Sequence, residues 1–245
     1  RTFKYMIVWI ASYPKSGNTW LRALLSNYYF SKDGSFDFKL LKEIDSFPSE
    51  RYFRNYPDKF EKPDDTSKYW IKEQEKINSS KKIYFFKTHN ALCKINGNRF
   101  TDEQNTLAVI YIIRDPRNIV SSVSHHYQIN IDDALKFMLN NKQGIFSKEN
   151  NRYLGFQALF SWKFHVKSWT ENNLYPTHII RYEDLYSLSV KQKGKITDEA
   201  TLFINNNLKV KFIAGENANT KVTFSEDIKT HKTYFGIGFD IHKLI

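Results

Sequence analysis

The sequence predicts an α/β protein, and three observations point there. An apolar run at 5–12 turns at once into a helical pattern that lasts to about residue 30. Two further apolar runs, 82–86 and 107–113, each end in charged or hydrogen-bonding residues rather than in more core. Finally, 245 residues with 41% hydrophobic and 16% aromatic content suit one packed globular domain over 1–245, not a disordered chain.

The first element organises the rest. Y-M-I-V-W-I-A-S is rich in β-branched and aromatic residues and reads as a buried strand. Downstream, Trp20, Leu21, Leu24, Leu25 and Tyr28 recur at helical spacing. The turn between them holds Pro14, Lys15, Ser16 and Gly17. A strand, a tight turn and a helix aim unpaired backbone N–H groups and the positive end of the helix dipole at one point, which suits an anion. Gly17 lets the backbone approach closely, Lys15 adds a full charge, and Ser16 and Thr19 add hydroxyl donors. The turn is P-loop-like, yet it is not the nucleotide-triphosphatase loop. That motif needs G-x-x-x-x-G-K-[ST], whereas here lysine precedes the only glycine. Taken alone, the turn also reads as an ordinary strand-to-helix connection carrying a surface lysine.

Residues 31–82 are polar and aromatic together, and Pro48, Pro57 and Pro63 keep any helices short. So long an excursion between core elements is a lid or a binding loop, with variable, pocket-side character. Its aromatics either line a pocket or pack onto the sheet beneath. The second strand, K-I-Y-F-F at 82–86, ends in K-T-H-N, so Lys87 and His89 fall beyond a strand's carboxyl end, where open α/β sheets bind ligands. That placement distinguishes His89, as a candidate proton acceptor, from His125, His126, His165, His178, His231 and His242.

The third strand, L-A-V-I-Y-I-I at 107–113, ends in R-D-P-R-N-I-V-S-S. Asp115 suits an N-cap and Pro116 the first helical position, so a helix starts there. Arg114 at the strand tip suits bidentate phosphate binding, or else an ion pair with Asp115. Ser122 lies two turns into that helix, and spacing does not by itself bring it back to Arg114. Beyond this the chain reads as helical. A short amphipathic helix covers 131–141, a broad apolar stripe at 152–173 runs through Tyr153, Phe156, Leu159, Phe160, Trp162 and Trp169, and a further helix covers 197–207. T-H-I-I-R-Y at 177–182 interrupts them as a strand.

The net charge of +11 favours an anionic ligand but does not choose among nucleic acid, an acidic membrane and a phosphorylated small molecule. The cations are scattered rather than run together, which argues against a nucleic-acid tail. The single cysteine, Cys93, allows no intramolecular disulfide and leans towards a reducing compartment. With no run of eighteen apolar residues and no secretory signal, a cytoplasmic location and no membrane span are expected. No Cys/His cluster stands at metal-ligand spacing, so no metal is expected. The chain starts at Arg1, which leaves open that either end is trimmed.

Y-P-K-S-G-N-T-W-L-R at 13–22, K-T-H at 87–89, R-D-P-R-N-I-V-S-S at 114–122 and R-Y-E-D-L at 181–185 together resemble the sulfotransferases that use 3′-phosphoadenosine 5′-phosphosulfate (PAPS). The resemblance covers roughly residues 5–190. It implies a single α/β domain with a central parallel β-sheet flanked by helices. It also implies that Lys15, Ser16, Gly17, Asn18 and Thr19 cradle the phosphosulfate and that Trp20 stacks on adenine. Arg114 and Ser122 would hold the 3′-phosphate, Tyr182 would lie at the adenine pocket, His89 would be the catalytic base, and Lys87 would sit beside the transferring group. The K-T-H form is similar to the cytosolic, small-molecule branch, here as a divergent microbial member. The late R-K-G-x-x-G-D-W stretch of that branch is replaced at 229–239 by K-T-H-K-T-Y-F-G-I-G-F, and 210–217 matches only faintly. The resemblance implies a sulfuryl transfer from PAPS to a hydroxyl or amine of a small-molecule or carbohydrate acceptor, shaped by 31–82 and 140–155. The oligomeric state stays open. A P-loop small-molecule kinase is the alternative, and a non-catalytic nucleic-acid-binding protein a more distant one.

Overall fold

The structure is a computed structural model that describes residues 6–32 and 37–185. The helix expected at 197–207 and the segments 210–217 and 229–239 lie outside the described residues. In chain order the elements are β1 (Ile7–Ser12), α1 (Asn18–Phe30), β2 (Asp45–Ser46), α2 (Trp70–Asn78), β3 (Tyr84–Thr88), β4 (Lys94–Ile95), β5 (Asn98–Arg99) and β6 (Thr106–Ile113). They continue with α3 (Pro116–Tyr127), α4 (Ile131–Leu139), β7 (Gly144–Glu149), β8 (Arg152–Ala158), α5 (Trp162–Thr170) and β9 (Thr177–Arg181).

Among the described residues, five strands form the central sheet in the order β2-β3-β1-β6-β9, and every neighbouring pair is parallel. This is the flanked parallel sheet that the resemblance implies. β1 sits in the middle, and all six of its residues are buried. Its alternation divides two cores. Ile7, Trp9 and Ala11 face an aromatic layer, while Val8 and Ile10 face Leu21 and Leu25 of α1. A strand buried on both faces reads as one continuous apolar run, which is why β1 and β6 stand out in the sequence.

The aromatic layer takes up several of the aromatics of 31–82. Phe47, Phe53, Phe60 and Trp70 are fully or almost fully buried and join Trp9, Phe86 and Phe100 in one core. They pack on the sheet rather than line a pocket. The same segment contributes β2, which pairs with β3 at Asp45–Phe86 and Ser46–Lys87 and forms an edge of the central sheet. Short 3₁₀ turns at 38–43, 50–52 and 63–69 and one nine-residue helix, α2, agree with the proline punctuation.

The helical reading of 152–173 is corrected. Only its second half is helical, as α5. Its first half is β8, paired antiparallel with β7 in a hairpin, so the 140–155 stretch is largely strand as well. Leu154, Phe156 and Ala158 are buried while the residues between them are half-buried, a period of two and not of 3.6. The turn carries Asn150 and Asn151 at φ +48° and +63°, the left-handed pair that two-residue hairpins favour. The apolar stripe is core, as its composition suggests. Among the described residues, no helix is long and apolar enough to cross a membrane.

Candidate active site

β1 ends in a turn in which Lys15 and Gly17 both have positive φ, +68° and +89°. Gly17 is the N-cap of α1, and its carbonyl accepts from the N–H groups of Trp20 and Leu21 at 3.0 and 3.2 Å. No side chain caps this helix, so its first N–H groups remain for a ligand. Left-handed residues in such a turn also help to aim backbone amides inward, as in anion-binding nests. Gly17 is required twice. It holds a conformation that costs other residues, and a Cβ there would lie 2.7 Å from Tyr182 Cε2. Ser16 is buried, and its Oγ has no hydrogen-bond partner.

Arg114, at the tip of β6, reaches across to this turn. Its Nη1 donates to the Lys15 carbonyl at 2.8 Å, and its guanidinium carbon lies 4.2 Å from the Tyr182 ring centroid. Trp20 meets the same Tyr182 ring edge-on at 6.0 Å. The Arg114 Nε is buried without a partner. The alternative ion pair with Asp115 does not form. Asp115 instead pairs with Arg117, whose guanidinium and N–H hold its carboxyl down to about 2, and it caps α3 as expected. Lys15, Gly17, Trp20, Arg114 and Tyr182 are therefore brought together at one end of the sheet.

Two expected ligands behave differently. Asn18 is buried, and its Nδ2 donates to the Ile10 carbonyl at 3.0 Å and to Ser12 Oγ at 3.1 Å, so its side chain ties α1 to β1. Ser122 is buried in α3, and no hydrogen bond between it and Arg114 is present among the described residues. Thr19, in the first turn of α1, is half-buried.

His89 follows β3, which extends two residues further than the apolar run suggests and includes Lys87. Its Nδ1 lies 2.7 Å from the Ser12 carbonyl, an acceptor only, so Nδ1 carries the proton and donates. The lone pair is thereby left on Nε2. Burial, and after it the charge of Lys87, push the imidazole well below its ordinary value, so it is neutral at pH 7. Lys87 pairs in register with Ile10 of β1 and Ser46 of β2.

Two residues that hold His89 escape sequence reasoning. Gln157 Oε1 accepts the His89 backbone N–H at 2.9 Å. His165, fully buried in α5, donates from Nε2 to the His89 carbonyl at 3.0 Å, while its Nδ1 accepts from the Tyr111 hydroxyl at 2.9 Å. They stand 68 and 76 residues from His89. The period-two pattern around Gln157 signals a strand, but nothing local signals its partner.

The Ser16 and Arg114 atoms without partners, together with the cationic, amide-rich turn, fit an anionic ligand of the phosphate or sulfate type. The family described as Sulfotransferase domain matches residues 7–197. A protein of Pelagibacter ubique (strain HTCC1062) named bifunctional enzyme IspD/IspF is 36% identical over 85 residues, which cover 33% of this chain and 23% of that protein. The chain thus matches less than a quarter of the length of that curated relative. Among solved structures, a retinol dehydratase in complex with retinol and PAP gives a TM-score of 0.40 at 18% identity, over 85% of this chain and 66% of that one. An uncharacterized protein from Eubacterium ventriosum gives 0.36 at 13% identity, over 77% and 98%. At such scores neither structure bears on what this chain does.

Proposed function

The chain belongs to the sulfotransferase domain family, and on that premise we propose that it moves a sulfuryl group from PAPS to a hydroxyl or amine of an acceptor, with His89 as general base. The observation that carries the base assignment is the tautomer. With Nδ1–H donating to the Ser12 carbonyl, the basic Nε2 is oriented by a backbone contact to the very strand that leads into the anion turn. A neutral imidazole is the form that takes a proton, and burial beside Lys87 keeps it neutral over a wide pH range.

PAPS, when bound, supplies the sulfuryl group and departs as adenosine 3′,5′-bisphosphate. The remaining work falls to this chain. Lys15 and the N–H groups of Ser16, Gly17, Asn18 and Thr19 hold the negative charge of the phosphosulfate and stabilise it as it grows on the leaving side. Arg114 and Ser122 are assigned to the 3′-phosphate, and Trp20 and Tyr182 to the adenine face. Lys87 stands next to His89, so its ammonium both stabilises charge at the transferring group and holds down the affinity of His89 for protons. His89 Nε2 removes the acceptor proton as the new bond to sulfur forms. Positioning and charge stabilisation are sufficient for such a transfer, because the protein forms no covalent intermediate.

The test is transfer of label from ³⁵S-PAPS to a panel of acceptors, run beside thermal-shift titrations. Stabilisation by adenosine 3′,5′-bisphosphate without magnesium supports the assignment. Stabilisation by ATP only with magnesium would transfer it to the kinase class.

A further inference from the structure

We infer that the acceptor is an uncharged, polyhydroxylated molecule of the sugar or polyol class, held in a groove between β2 and the β7–β8 hairpin. This deepens the sulfotransfer reading and rests on it. The groove has a volume of about 470 Å³, within the ~300–1,000 Å³ typical of small-molecule sites. Two of its walls tie it to the strand that carries the proposed base. Gln157, one of its walls, holds the His89 backbone N–H at 2.9 Å, and Ser46, the opposite wall, pairs in register with Lys87.

The lining decides the chemistry. Small-molecule pockets are ordinarily lined mainly by apolar and aromatic side chains. Here the apolar contribution is Pro48, Ile145 and Phe146. Against them stand the hydroxyls of Ser46 and Ser147 and the amide of Gln157, all able to donate and accept. Glu50, Arg51 and Arg54 complete the rim. A flat apolar phenol would strip water from these groups and return no hydrogen bonds, which is unfavourable. A molecule bearing several hydroxyls replaces that water group by group.

The cations of the rim are already paired. Arg51 pairs with Asp45, and Arg54 lies 3.0 Å from Glu149 and 3.4 Å from Glu50. Of these carboxylates only Glu50 lines the groove, but both guanidinium groups are already engaged in ion pairs. A carboxylated or phosphorylated acceptor would have to break these pairs before it could use either guanidinium, whereas a neutral one leaves them in place. One more feature fits a sugar. The Phe146 side chain is 56% exposed on the rim of this polar groove, its ring edge-on to Tyr153 at 5.4 Å. Such a ring offers its face to the C–H side of a pyranose while the serines take the hydroxyls.

The experiment uses the full chain saturated with adenosine 3′,5′-bisphosphate. Neutral methyl glycosides and disaccharides, 2-naphthol and glucuronic acid are each titrated by calorimetry, then offered as acceptors with labelled PAPS. Neutral glycosides should bind, and should accept sulfate with kcat/KM about tenfold or more above the other two. Phe146→Ala should raise their KM about tenfold and leave the dissociation constant of the bisphosphate unchanged, which also shows that the variant is folded. Preference for 2-naphthol or glucuronic acid, or no glycoside binding to a protein that binds the bisphosphate, overturns the acceptor assignment while the sulfotransfer reading stands. Failure to bind the bisphosphate at all removes both.

Discussion

Acidification should loosen the base-holding layer before it affects the rest of the protein, and His165 sets the size of the effect. Its ring is fully buried, with Nε2–H donating to the His89 carbonyl and Nδ1 accepting from Tyr111. Burial pushes it down to about 4. In the unfolded chain it titrates near ~6.5. Between those values the unfolded state binds a proton that the native state refuses, so stability is complete above about pH 6.5 and falls as the pH drops towards 4. At ~1.36 kcal/mol for each pH unit, a gap of about 2.5 units amounts to roughly 3 kcal/mol, a large share of the ~5–15 kcal/mol that holds a domain together. His89 acts in the same direction. Asp115, held down to about 2 by Arg117, loses its pairing only at lower pH and leaves this window to the histidines. Urea unfolding at several pH values between about 7.5 and 4 should therefore show a falling midpoint in the native protein. His165→Gln, which keeps a donor and an acceptor but does not titrate, should flatten that slope by roughly 3 kcal/mol whatever its effect at neutral pH. An equal slope in both proteins would refute the account of His165 as a buried neutral group.

The other expectations concern the site. His89→Ala should lower kcat by about 10²–10⁴ while the protein stays folded, and normal turnover in the folded variant would remove the base assignment. The acid limb of the pH–rate profile should lie well below pH 6.5, because the rate requires neutral His89; a limb at or above that value would contradict its environment. Lys15→Ala should abolish most turnover with secondary structure unchanged by circular dichroism. Arg114→Lys should weaken binding of adenosine 3′,5′-bisphosphate more than tenfold, roughly 1.4 kcal/mol or more, since lysine restores neither the planar contact with Tyr182 nor the bond to the Lys15 carbonyl. Gly17→Ala should cost about 1–3 kcal/mol from positive φ alone and more from the Tyr182 ring, read as a lowered Tm and weakened bisphosphate binding.

Much of the sheet was legible because its central strands are buried on both faces and so leave the apolar runs read at 5–12 and 107–113, which became β1 and β6. The α3 start was legible because Asp-Pro is a local device. β8 was misread because its aromatic residues fit a helical stripe as well as a strand, and the Asn150–Asn151 turn that decides between them is short. The 31–82 aromatics could not be sorted at all from sequence, since a buried and an exposed phenylalanine look alike until the surface they meet is known.

The sequence by itself determined the chemistry on offer: a lysine and glycine between a buried strand and a helix, a histidine after a second strand and an arginine after a third. Local backbone preference and apolar periodicity act over a few residues and suffice for that. Only the tertiary structure decided that Arg114 meets the Lys15 carbonyl, that Asn18 turns inward, and that Ser12, Gln157 and His165 hold His89 as a neutral ring with its lone pair on Nε2. Those contacts join residues up to 99 positions apart, and their geometry follows from the register of the parallel strands and the path of the hairpin, which no short stretch encodes.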